Sequence, residues 1–207
     1  MKKIFVFCLC MMLTITITPL VACGEVINEL EKNDFKFDVR PMFLFARFNP
    51  FWQIPLKHLD IVSFSIFEDS EEPDFLQASI TLRGFEYSNL RTCYVIYFTF
   101  DCIRYYIGIN THTDGEYISS IAGYFDENNN CHDTTVDCEI NEEENIMTWN
   151  VPKDVIGNPE SGDQLEDVHA SSFLILQRDC NAKFPIHLAK DIAGPIFRVG
   201  YSYEVQY

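Results

Sequence analysis

Between Arg104 and Lys153 the chain carries no Lys or Arg but ten acidic residues: Asp114, Glu116, Asp126, Glu127, Asp133, Asp137, Glu139, Glu142, Glu143 and Glu144. So one-sided a strip of oxygen ligands invites a hard cation. Within it, Asp126-Glu127-Asn128-Asn129-Asn130 sets side-chain oxygens at alternate positions, as at the start of a calcium loop. That spacing nominates Asp126, Asn128 and Asn130 as calcium ligands. The run departs from the EF-hand pattern, because Cys131 stands where Gly is needed and Asp137 where a bidentate Glu belongs. The competing reading is a solvated acidic loop.

Cysteines are the second set. Cys8 and Cys10 fall in an N-terminal leader, leaving Cys93, Cys102, Cys131, Cys138 and Cys180, with Cys23 at the leader's end. Five cysteines in an exported chain imply two disulfides and one thiol left over. Cys131 and Cys138 are close enough in sequence to clip a loop base, and Cys180 is the better partner for Cys93 or Cys102 than either is for the other. Cys131-His132 with Cys138 could form half a zinc site, but no matching second pair follows, so a disulfide is the preferred reading. For hydrolysis the chain offers no Gly-x-Ser-x-Gly, no His-Glu-x-x-His and no phosphate-cradling glycine loop. Its histidines, His58, His112, His132, His169 and His187, are scattered. Carboxylate pairs are so abundant in an acidic chain that nominating one as acid and base has no discriminating power. The expectation is a protein without catalytic activity.

Formal charge is -16, and loss of Lys2 and Lys3 with the leader takes it to -18, from 13 basic and 31 acidic residues. Phosphate backbones and anionic headgroups repel such a chain, which argues against nucleic acid and acidic membrane surfaces as partners. The leader itself has Lys2 and Lys3 as a basic start, Ile4 to Thr18 as an apolar stretch and Pro19 as its breaker. Leu20-Val21-Ala22-Cys23 matches a bacterial lipobox, which would make Cys23 a lipidated first mature residue; ordinary cleavage nearby is the alternative. Export, or anchoring on the outer face of the cytoplasmic membrane through the leader or a lipid at Cys23, is expected.

The elements that must position these groups read as strands. With 18 Phe and 10 Tyr among 207 residues, the composition suits pleated, half-buried surfaces. Thr92 to Ile109, TCYVIYFTFDCIRYYIGI, reads as a hairpin turning at Asp101-Cys102. Closing it there pairs Phe100 with Ile103, Phe98 with Tyr105, Ile96 with Ile107 and Tyr94 with Ile109, and sets Cys93 opposite Asn110. Both faces are largely apolar, so the hairpin belongs mid-sheet, with Tyr105 on the core face and Tyr106 on the other. Asp60 to Phe67 and Phe75 to Arg83 alternate strictly, the first with Val62, Phe64 and Ile66 inward, the second with Leu76, Ala78, Ile80 and Leu82. Further strands are expected at Phe37 to Phe51, Tyr117 to Tyr124, Val136 to Ile140, Asn145 to Val151, Leu165 to Gln177 and Ile196 to Tyr207. Met147, Trp149 and Val151 share a core face, and Pro152 to Gly157 reads as one helical turn. Glu25 to Lys36 reads as a spacer and Arg178 to Lys190 as a connection.

Eight or nine short strands with one helical turn near 152–157 fit an all-β, antiparallel β-sandwich of jelly-roll or immunoglobulin-like type; a closed barrel is the alternative. The organisation expected is a signal peptide over 1–23, an N-terminal spacer and first strand over 24–56 and the sandwich over 57–207. Surplus aromatics, notably Trp52, Tyr106, Tyr201 and Tyr203, are candidate stacking platforms for a glycan; the competing reading is that they fill the core.

Trp149 to Phe173, WNVPKDVIGNPESGDQLEDVHASSF, joins a strand ending in Val-Pro to a short helix closing in Ile-Gly, then Pro, Gly-Asp and a long strand with Ala-Ser. With DIVSFSIFEDSEEPDFLQASI and Asp191-Ile192-Ala193, this resembles exported archaeal and bacterial β-sandwich domains related to family 9 carbohydrate-binding modules and DOMON-like domains. The resemblance spans about Asp60 to Ala193 and is a pattern of strands and turns. It implies a non-catalytic surface module that binds a glycan or a protein. The rival expectation is a purely structural envelope domain stabilised by disulfides and calcium.

Overall fold

The Asp101-Cys102 dipeptide closes the central hairpin with both residues in the left-handed region, φ 48° and 62°. Two consecutive positive φ values match a tight turn to the right-handed twist of the strands it joins. The register that follows is the one the apolar pattern demands, with Phe100 opposite Ile103 and Cys93 opposite Asn110.

The computed structural model describes residues 26–27, 30–33, 40–41, 57–85, 91–111, 117–176, 186–193 and 201–207. Trp52, Cys23, Cys180, the leader and the expected strand over 37–51 apart from 40–41 lie outside them. The strands are β1 (Val26–Ile27), β2 (Leu30–Asn33), β3 (Arg40–Pro41), β4 (Ile61–Phe67), β5 (Phe75–Leu82), β6 (Arg91–Phe100) and β7 (Ile103–Thr111). There follow β8 (Tyr117–Phe125), β9 (Cys131–Thr135), β10 (Asp137–Asn141), β11 (Ile146–Pro152), β12 (Gln164–Leu176), β13 (Ile186–Ala193) and β14 (Tyr201–Glu204). Among the described residues one 3-10 turn, Lys153–Ile156, follows β11 and ends at Gly157 with φ 89°.

These form two sheets, an all-β sandwich and not a barrel. The larger runs β1-β14-β12-β6-β7-β8-β9, with β13 on β12 and β3 on β13; the smaller runs β10-β11-β5-β4-β2. All pairings are antiparallel except β1 with β14. The central hairpin, β6 and β7, sits mid-sheet between β12 and β8, where neighbours on both sides satisfy its backbone.

Packed between the sheets are Tyr94, Ile96, Phe98, Tyr105, Ile107 and Ile109 from the large sheet against Phe64, Ile66, Leu76, Ala78, Ile80, Met147, Trp149 and Val151 from the small one. Trp149 is fully buried. Truncating a side chain of that size in a packed core costs about 3–5 kcal/mol.

The structure departs from the sequence expectations in three places. The alternation of β4 breaks at its start: a bulge between Ile61 and Ser63 makes Val62 the extra residue, so Ile61 is the fully buried one and Val62 only half-buried. The stretch expected as a connection, Arg178 to Lys190, ends inside β13, which begins at Ile186 and pairs with β12 from Ala170 to Leu176. The stretch read as a spacer supplies β1 to the large sheet and β2, opposite Ser63–Ile66, to the edge of the small one. In both stretches backbone pairing with a neighbour outweighs composition, since Glu31, Lys32 and Asn33 have little strand preference of their own.

Candidate functional site

Cross-strand registers put four rings in one row across the large sheet: Phe98 on β6, Tyr105 on β7, Tyr124 on β8 and His132 on β9. Successive ring centroids are 5.6, 6.0 and 5.0 Å apart, with Phe98–Tyr105 and Tyr124–His132 near-parallel and the middle pair tilted. The row grades from core to solvent: Phe98 is 1% exposed, Tyr105 4% and Tyr124 36%. It is anchored at its inner end, because the tight Gly157 backbone comes so close to Tyr105 that a Cβ there would lie 2.5 Å from the Tyr105 hydroxyl. At its outer end Gly123 lets β9 close on β8; a Cβ at 123 would meet the His132 carbonyl oxygen at 2.0 Å.

Tyr124 faces an open cleft of about 730 Å³ between the β6–β7 turn and the β8–β9 loop, which Asp101, Ile103, Arg104, Glu127 and Asn129 help to line. A smaller cleft of about 360 Å³ lies on the other side of the same turn, against Asp163, Gln164 and Glu166. Register parity splits the larger cleft between two sides of the sheet. Tyr124, Ile103 and His132 share the core-facing side, whereas Arg104 and Phe125 share the other. There the Arg104 guanidinium lies 4.5 Å from the Tyr97 ring centroid and 5.8 Å from that of Phe125, in cation–π geometry.

The β8–β9 loop is built on Asp126. Its Oδ1 accepts the backbone N–H groups of Asn128 and Asn130, both at 2.8 Å, and its Oδ2 accepts the Asn130 side-chain amide at 2.9 Å. The His132 Nε2 lies 3.3 Å from the same Oδ2. Hydrogen bonds from Asn130 above all hold the carboxyl down at about 2, from an ordinary 3.8. Asp126, Asn128 and Asn130 are thus brought together, but as a self-satisfied turn: four donors occupy the roughly four acceptor positions of one carboxylate. A calcium ion would have to displace them. Among the described residues no three His, Cys, Asp or Glu side chains converge to hold a metal ion.

Of the nominated aromatics, Tyr106 and Tyr203 are withdrawn from solvent at 5% and 0% exposure, so neither offers a ring face to a ligand. Tyr106 packs at 4.9 Å from Phe125, and burial first, then the Cys131 thiol and Asp133, pushes its phenol well above the ordinary value. Tyr203 donates its hydroxyl to Glu68 Oε2 at 2.8 Å. Tyr201 is half-buried, its ring 6.1 Å from that of Phe64. The exposed ring, Tyr124, was not among the nominees. Its signal was present in the sequence, since extending the hairpin register by one strand sets a Tyr beside Tyr105.

Cys102, Cys131 and Cys138 are free thiols. The expected Cys131–Cys138 clip does not form, and the reason is parity and layer: Cys131 shares a side with Phe125 on the outer face of the large sheet, while Cys138 pairs opposite the core residue Trp149 on the small sheet. Burial pushes the Cys138 thiol up to about 12. Adjacent Cys131 and His132 point to opposite faces of β9, so they do not form a nucleophile and base pair.

Sequence reasoning also gave no hint of the buried ion pair beside the last strand. Lys153 Nζ lies 2.5 Å from Glu68 Oε1, with the two side chains 5% and 0% exposed. Glu68 Oε2 accepts the backbone N–H of Gln206 at 2.6 Å as well as the Tyr203 hydroxyl, and Lys153 donates to the Tyr207 carbonyl oxygen.

The fold and site together define a β-sandwich with an aromatic-floored cleft at one rim. No protein-family model and no curated protein matches the chain.

Proposed function

We propose that this is a non-catalytic, exported or cell-surface binding module that holds a glycan in the rim cleft. The observation that carries the reading is Tyr124: a ring one-third exposed at a cleft, braced from behind by rings that lead into the core. The exposed part of that ring, beside the His132 imidazole stacked on it, offers apolar surface to the C–H groups of a sugar, while Asp101, Glu127 and Asn129 offer hydrogen bonds to hydroxyls around it. A braced platform binds without losing side-chain entropy. The resemblance to family 9 carbohydrate-binding modules and DOMON-like domains points the same way, and the N-terminal leader supports export, with either lipidation at Cys23 or ordinary cleavage nearby.

A glycan array probed with the mature domain tests this. Specific hits that vanish in Tyr124→Ala support it, whereas an empty array, or hits indifferent to Tyr124→Ala, refutes it. The rival reading, a purely structural envelope domain, is favoured by the burial of Tyr106 and Tyr203. It predicts the empty array.

A further inference from the structure

On the outer face of the large sheet, apart from any glycan site, we infer that Cys131 is oxidised reversibly to a sulfenic acid that the Tyr106 hydroxyl holds. Register gathers the parts. Tyr106 on β7 has Gly123 as its neighbour on β8 and Asp133 beyond it on β9, while Phe125 and Cys131 form the next pair along on the same face. Gly123 contributes no side chain, so the Tyr106 ring leans across β8 onto Phe125, with 4.9 Å between centroids. The Cys131 thiol lies close enough to the phenol to help burial keep it protonated. Tyr106 is 5% exposed, and its hydroxyl, shielded from water, has no hydrogen-bond partner among the described residues. Cys131 beside it is exposed and free. A buried donor without an acceptor costs stability, and a thiol sulfur is too weak an acceptor to offset much of that cost. An oxygen placed on the Cys131 Sγ is the strong acceptor the site lacks.

The oxidant is a hydroperoxide. The Cys131 sulfur attacks its O–O bond; an S–O bond forms as the O–O bond breaks, sulfur gives up two electrons, and the thiol proton leaves with the departing oxygen as water or an alcohol. The Tyr106 hydroxyl then donates to the new oxygen. Arg104, 5.8 Å from the Phe125 ring centroid, and Asp133, on the same face of β9, flank the site with opposite charges. Cys138 lies in the other sheet and cannot condense with the sulfenic acid to form a disulfide. Cys102 supplies an internal comparison, since it is exposed and free as well but sits at the β6–β7 turn, away from Tyr106.

The test is trapping. The mature domain, reduced and then exposed to hydrogen peroxide, is treated with dimedone, which reacts with sulfenic acids. Adducts at Cys131 and Cys102 are measured by peptide mass spectrometry and normalised to the rate at which iodoacetamide labels each thiol. The expected excess at Cys131 is about fivefold, the factor that one neutral hydrogen bond of ordinary strength supplies. Tyr106→Phe deletes the hydroxyl, keeps the ring against Phe125 and should abolish the excess. Because that hydroxyl has no partner in the reduced protein, the variant should melt no lower than the parent. Equal normalised adducts in the parent would overturn the inference, and this comparison decides the matter even where the variant does not fold. An excess at Cys131 that survives Tyr106→Phe would overturn it too, as would oxidation of Cys131 with no dimedone adduct.

Discussion

Removing Lys153 from its buried pair should be among the most damaging single changes available in this fold. Lys153→Met keeps the length and apolar stem but deletes the charge, leaving the Glu68 carboxylate with a fully buried side chain and no cation 2.5 Å away. A buried pair broken from one side typically costs about 3–5 kcal/mol, because the remaining ion has lost its water and its partner together. The Tyr203 hydroxyl and Gln206 N–H still donate to Glu68, which places the expected cost toward the lower end, about 3 kcal/mol. For a chain of this size that is a fall of about 6–12 °C in melting temperature. Glu68→Gln alone should also destabilise, stranding an ammonium. The double variant should lose much less than the sum, giving a coupling of about 1–3 kcal/mol in a double-mutant cycle. Urea denaturation of the four proteins measures all of this. Strict additivity, or a Lys153→Met variant within about 0.5 kcal/mol of the parent, the range of an ordinary surface change, would refute the claim that the pair is desolvated and joined.

Gly123→Ala should disrupt the β8–β9 pairing, because its Cβ would sit 2.0 Å from the His132 carbonyl oxygen; loss of amide-exchange protection confined to β9 and its loop would show it, and unchanged protection would count against the register. Alkylation should separate the thiols. Exposed Cys102 and Cys131 should label quickly, while Cys138, part-buried and held up at about 12, should lag far behind even at alkaline pH; equal labelling rates would count against its burial. Asp126 has a folded pKa near 2 against an ordinary 3.8, so its stabilisation is fully present above about 4 and lost as pH falls toward 2. Melting temperatures of the parent and Asp126→Asn should therefore differ most near neutral pH and converge at about pH 2; a gap that stays constant with pH would show that the carboxylate's charge is irrelevant to the loop.

Much of the fold is legible in the chain because strand periodicity is a local property. Phe98, Ile96 and Tyr94 face Tyr105, Ile107 and Ile109 as soon as the turn is placed at Asp101-Cys102, and Leu76, Ala78, Ile80 and Leu82 alternate inward with no further information. Where backbone geometry interrupts the period, the pattern misleads: the bulge at Val62 shifts which of two apolar neighbours enters the core. Composition misleads where partners matter more than propensity, as in β2 and β13, whose residues extend because β4 and β12 offer them hydrogen bonds.

The site was harder to read for the same physical reason. Sequence alone determined an all-β fold, the hairpin at its centre, its register and the opposite facing of Tyr105 and Tyr106; that the strands stack as two sheets and do not close into a barrel came from the tertiary structure. Only the tertiary structure decided which aromatics reach solvent, because exposure depends on what the second sheet covers. Tyr203 lies under the sandwich and Tyr124 at its rim, though both sit on alternating strands. It also decided that Cys131 and Cys138 belong to different layers, that Asp126 spends its oxygens on its own turn, and that Lys153 meets Glu68. Each of these is a meeting of groups that strand parity orients but that only the stacking of two sheets can bring together or keep apart.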